Sequence, residues 1–239
     1  MNLPQLQTPV YKTKLISNNK EILFRPFLVK EEKILLTSME TKETDTIIEN
    51  YIQILKNCIL SENTDIEKLP SFDCILLFIE LRKKSIGEII DISIKDPEIN
   101  KYFDVEMDLN NIKIINKRKK NNNKIQLTED IGIVLKYPTI KEALSLGLEK
   151  NINNNFEKIS DILISCIDKI YDSDKIYEIK NYTKEEIIKF IDQLTPSMVS
   201  DISSFFSNMP KIIYENTYPS PFSQKKIQVR VENFIDFLI

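Results

Sequence analysis

Three cysteines, several close-set carboxylates and one dense run of cations are the residues in this chain that could do chemistry. Cys58, Cys74 and Cys166 each lie in an apolar run and none belongs to a CxxC pair. A thiolate nucleophile needs a neighbouring base, and a structural zinc site needs four ligands. The chain has no histidine, which removes the commonest general base and the commonest metal ligand together. The thiols are therefore expected as reduced core residues, with no catalytic residue, metal ligand or cofactor site among them. Asp104, Glu106 and Asp108 alternate along the chain, which places them on one strand face as the wet side of a half-buried sheet. Asp172-Ser173-Asp174 has the spacing that opens an EF-hand loop. Tyr177 stands where that loop needs glycine, however, and no glutamate closes it. Only 3 glycines occur in the chain, and no phosphate-cradling glycine motif is present. No small-molecule substrate is expected.

The cations are concentrated in Lys117-Arg118-Lys119-Lys120, followed by Lys124, with no acidic residue between Leu109 and Thr128. Such a run could contact phosphates. No aromatic side chain is interleaved, so a base-stacking platform is not indicated. The 33 basic and 36 acidic residues leave a net charge of −3, which gives no global attraction to nucleic acid or acidic lipid. Composition matters as well. The sequence holds 41 Ile, 29 Lys and 21 Asn against 4 Arg and 1 Ala, a bias towards AT-rich codons that lowers the information in any Lys/Asn run. The 117–124 stretch reads as a solvated loop. A nucleic-acid-binding accessory role for that loop is the alternative.

The elements that must position these residues follow from periodicity. The 239 residues, 42% hydrophobic and 29% charged, suffice for a core without disulfides. Pro4, Pro9 and Pro26 make the front of the chain extended. A helix is expected over Val29–Met39. Thr46-Ile47-Ile48-Glu49 has the capping-box pattern, with a start one turn earlier as the alternative, and Ile47, Tyr51, Leu55 and Cys58 follow on one helical face. A further helix after Pro70 is stopped at Gly87. The period then drops to two: Ile90–Ile94 and Phe103–Leu109 predict an antiparallel hairpin. Ile125–Leu127 and Ile131–Leu135 offer further strands, and a helix follows Tyr137-Pro138-Thr139 through Leu148. Phe156, Ile159, Leu163, Cys166 and Ile170 share one helical face. Thr183-Lys184-Glu185-Glu186 is a second capping box, Pro196 opens another helix, and Ile212–Tyr218 and Ile227–Val231 alternate again. These elements imply an α+β protein, mainly helical, in two lobes with short antiparallel hairpins. The first lobe would span residues 1–150 and the second 151–239, with the Asn151–Asn155 stretch between them. The opening residues lack the charged region of a signal peptide, and the longest apolar run, Ile75–Ile79, is too short for a membrane span.

Four runs, FRPFLVKEEKILL (24–36), LPSFDCILLFIELRKKSIGEII (69–90), IQLTEDIGIVLKYPT (125–139) and FFSNMPK (205–211), resemble the baseplate hub family of T4-like contractile-tailed phages. They keep their order and span most of the chain. The resemblance implies a non-enzymatic structural or assembly protein of the tail baseplate hub whose partners are other hub subunits. It also implies a place in the host cytoplasm during assembly and then in the virion. Relatives carry zinc-ribbon-like cysteine pairs in the hairpins after the helices. The loops 94–103 and 218–226 contain no Cys or His here, so no such metal staple is expected. The candidate partner-binding residues are Phe24, Arg25 and Phe27, at a proline-fixed corner with polar flanks. The C-terminal segment with Phe234, Phe237 and Leu238 is expected to seal a core.

Overall fold

The structure is a computed structural model that describes residues 6–40, 43–116, 123–145, 161 and 163–232, together with Phe237. Its contacts divide the chain into two compact units, residues 1–115 with 211–239, and residues 116–210.

In the first unit, Tyr11–Lys14 (β1) and Glu21–Phe24 (β2) form an antiparallel hairpin. Ile22 and Phe24 face inward and the charged positions face out. Three helices follow: α1 (Val29–Glu40), α2 (Thr44–Cys58) and α3 (Ser71–Ser85). Glu43 is the residue before α2 and makes no side-chain cap, so the helix takes the earlier of the two expected starts and Thr46 lies inside it. Tyr51 of α2 packs on Phe78 of α3 with ring centroids 4.4 Å apart, an arrangement that adds to simple burial. Past α3, Gly87 adopts φ 129°, a conformation that other residues avoid. The chain turns there into β3 (Ile89–Asp96), which pairs along its full length with β4 (Lys101–Asp108). The alternation read from the sequence is thus a hairpin. Its inner side chains join a core of Leu76, Ile79, Ile90, Met107, Leu109, Ile212, Tyr214 and Phe237. Phe237 is 1% exposed; Phe234 and Leu238 lie outside the described residues.

Strand β5 (Lys113–Ile115) ends the first pass through this unit. The chain returns at β10 (Lys211–Pro219), which pairs antiparallel with β5, Ile115 opposite Lys211. β11 (Lys226–Val231) completes a three-stranded sheet in the order β11-β10-β5. The second unit is therefore an insertion between two paired strands. The boundary expected at 150 rested on local polarity, whereas the contacts divide the chain at 115 and again at 210. The Asn151–Asn155 stretch, Phe156 and Ile159 lie outside the described residues.

The second unit holds an antiparallel four-stranded sheet, β6 (Lys124–Gln126), β7 (Gly132–Leu135), β8 (Ile167–Tyr171) and β9 (Ile176–Glu178), in chain order. Helix α4 (Ile140–Ser145) and a helix described over residues 163–166 (α5) lie between β7 and β8 in sequence, and α6 (Lys184–Ile191) and α7 (Pro196–Ser207) follow β9. The capping box at Thr183 and Glu186 forms in both directions, as its spacing predicts. Ile133, Leu135, Leu163, Cys166, Ile187, Ile191, Ile202 and Phe205 meet in one core.

Among the described residues about 40% are helical and 30% lie in strands. It is a mixed α+β fold, and the expectation of a mainly helical chain is corrected. Ile170 shows the cause. It continues the helical spacing of Leu163 and Cys166, but the helix ends at Cys166 and Ile170 lies on β8. Isoleucine is stiff in helices and favoured in strands. Among the described residues no helix is long and apolar enough to cross a membrane.

Candidate interaction site

Pro26 fixes the corner between β2 and α1, and it turns the expected partner-facing side chains inward. Phe24 is 1% and Phe27 8% exposed. The Arg25 guanidinium donates to Glu31 through both terminal nitrogens, at 3.3 and 3.1 Å, and to the carbonyls of Pro26 and Asn57 at 2.9 and 2.8 Å. Glu31 has no exposed surface and also accepts the Leu28 N–H at 2.9 Å. Burial alone would raise its pKa, but the bonds from Arg25 and Leu28 outweigh that and hold it below the ordinary value; the same pairing raises that of Arg25. The corner binds the chain to itself. Its apolar neighbours Leu28 and Val29, 41% and 65% exposed, face outward.

Among the described residues of this unit, two other carboxylates are fully buried. Asp73 accepts the N–H groups of Ile16 and Ser17 at 2.6 and 3.2 Å, tying the β1–β2 loop to the start of α3. Its Oδ2 has no hydrogen-bond partner, and burial raises its pKa. Asp96 ends β3 and is clasped by the β10–β11 turn. Its Oδ2 accepts the Ser220 and Ser223 hydroxyls at 2.5 and 2.6 Å, and its Oδ1 accepts the N–H groups of Glu98 and Ile99. Those bonds, Ser220 first, hold its pKa down to about 2.

The thiols are inert core groups. All three are buried, and burial pushes Cys58 up to about 11 and Cys74 and Cys166 to about 12. Asp104 and Glu106 lie on the exposed face of β4, with Glu106 directly opposite Asp91 of β3. Most of the basic run, 117–122, lies outside the described residues. Lys124 sits over the Tyr171 ring at 5.9 Å.

Among the described residues, a concave site lies in the second unit, a cleft of about 340 Å³. Ile131 and Ile170 form part of its apolar wall, with Ile179, Ile187 and Phe190 continuing it. Tyr177 and Tyr182, ring centroids 6.3 Å apart, also line it. Among the described residues, the charged ones lining it are Asp172 and Glu186, and none of the lining is a cation. Asp172 is held by its own turn: Oδ1 accepts the N–H groups of Asp174 and Lys175 at 2.8 and 2.7 Å, and Oδ2 accepts the Tyr177 hydroxyl at 2.6 Å. The Tyr177 bond is the main cause of its lowered pKa. Glu186 is fixed by its cap bond to the Thr183 N–H at 2.8 Å. The sequence exposed two parts of this site, the Asp172 turn and the Thr183 capping box, without joining them. Tyr177 and Tyr182, aromatics set between an acidic turn and a helix start, are the sequence signal that links them.

The chain matches the T4 bacteriophage base plate protein family over residues 8–239. It belongs to that family, and as such it is a component of the phage tail that contacts other phage proteins. Neither a curated protein nor a solved structure matches it.

Proposed function

We propose that this protein is a structural or assembly subunit of the central baseplate hub and works through protein–protein contacts without catalysis. The observation that carries the reading is the family match across nearly the whole chain. It agrees with the four ordered runs between residues 24 and 211. The chemistry of the cysteines supports a non-enzymatic role: each thiol is buried with its pKa raised, so none offers the thiolate that nucleophilic catalysis needs. The subunit would fold in the host cytoplasm and join the hub there.

Mass spectrometry of purified virions, paired with electron microscopy of particles made without the gene, tests this. Loss of baseplates or tails in the deletion is expected. Peptides of the chain in mature virions would mark a resident subunit, and their absence alongside that defect an assembly factor. Normal, infectious tails without the gene would refute the reading.

A further inference from the structure

The geometry points to the cleft of the second unit as a docking site for an arginine-bearing apolar segment of another baseplate protein. This inference rests on the hub reading for the kind of partner and on the cleft alone for its chemistry.

Three features of the cleft define that chemistry. Its walls are aliphatic and aromatic, so the occupant must bring apolar side chains out of water. Its charged lining residues, among those described, are both carboxylates, so an anion is repelled and a cation attracted as it is desolvated. Both carboxylates are already oriented, Asp172 by two backbone N–H groups and a tyrosine hydroxyl, Glu186 by its helix cap. They need little reorganisation on binding.

Tyr177 and Tyr182 beside these acids select among cations. A guanidinium stacks on aromatic rings and forks its donors to carboxylates, whereas an ammonium is a more strongly hydrated point charge. At about 340 Å³ the cleft is at the small end for a ligand pocket, a size for one anchor residue and its neighbour. The start of α6 does not compete as an anion site, because Thr183 and Glu186 close its cap on each other. A protein segment is favoured over a nucleic acid because the acidic lining opposes phosphate.

The test uses the intact chain and a labelled peptide, acetyl-Leu-Arg-Leu-amide, against its citrulline counterpart, which keeps the shape and loses the charge. Fluorescence anisotropy should show the arginine peptide binding about tenfold more tightly. Glu186→Gln, which keeps the helix cap, and Tyr182→Leu should each reduce that preference with the melting temperature unchanged. Equal binding of both peptides, preference for a glutamate peptide, or no binding of either overturns the proposal. In assembled particles, a photo-crosslinking residue in place of Tyr182 should join an arginine-containing peptide of a different phage protein. Crosslinks to nucleic acid or to a second copy of this chain overturn it. The two readings fail separately. A chain needed for the hub but indifferent to the peptide loses only the cleft, whereas one that prefers the arginine peptide but is dispensable for tails loses only the hub.

Discussion

Glu31 and Asp73 occupy the same position on two helices, each the third residue, and neither has any exposed surface. Their electrostatic states are nevertheless opposite. Glu31 meets the Arg25 guanidinium and its pKa is lowered. Asp73 meets two amide N–H groups and no cation, and its pKa is raised. A helix start alone does not decide whether a buried carboxylate stays charged. The segment laid against it does: the residue that follows β2 is an arginine, whereas the β1–β2 loop offers Asp73 two backbone N–H groups and the Ser17 side chain but no cation.

Removing the cation should have the largest effect. Arg25→Met leaves Glu31 buried and charged, a loss of about 3–5 kcal/mol for a broken buried pair. Adding Glu31→Gln should recover much of it in urea denaturation. If the single and double variants are equally unstable, the pairing is not what holds the corner. Next comes Asp73→Ala, which orphans the Ile16 and Ser17 N–H groups at about 1–3 kcal/mol.

Acid should then separate the two sites by sign. Glu31, with a lowered folded pKa, contributes stability that is present above its ordinary value of 4.5 and is lost as pH falls through the folded value. Asp73, with a raised folded pKa, contributes stability that is complete below its ordinary value of 3.8 and is lost as pH rises through the folded value. The stability difference between wild type and Asp73→Asn should therefore move against the wild type as pH rises above 3.8, read from urea midpoints of both at successive pH values. An unchanged pH profile in that variant would remove Asp73 from the explanation. The smallest effect belongs to Lys30→Ala. Lys30 lies 3.4 Å from Glu31 but is 67% exposed, so its loss should cost about 0–1 kcal/mol. A penalty rivalling that of Arg25→Met would assign the charge of Glu31 to the wrong cation.

The same contrast shows what was legible in the sequence. The β3–β4 hairpin was readable because Ile90, Ile92 and Ile94 alternate with polar residues, a local pattern with one solution. The Thr183 capping box was likewise local. At Thr46 the same motif leaves two starts open, and the helix takes the earlier one, with Glu43 before it and the threonine inside. The pairing of Lys113–Ile115 with Lys211–Ile213 leaves no local trace, so the insertion could not be seen and the lobe boundary went to an asparagine run. At the corner, residue types were visible but direction was not. Phe24 and Phe27 look like anchors for a partner until Pro26 and the Arg25–Glu31 pair turn them inward. The cleft is harder still, for its walls come from stretches between Ile131 and Phe190 that only the folded second unit brings together.

The pairing of Ile115 with Lys211 also has a consequence on the ribosome. Translation delivers every residue of the second unit before the first residue of β10 emerges. The first unit's core meanwhile lacks Tyr214 and Phe237, two of its large buried side chains. The inserted unit can fold early, from contacts near in sequence, whereas its host must wait for a closure that spans the whole insertion. The part of the first unit made before the insertion is thus completed after it, and keeps apolar surface open until Tyr214 and Phe237 have been made.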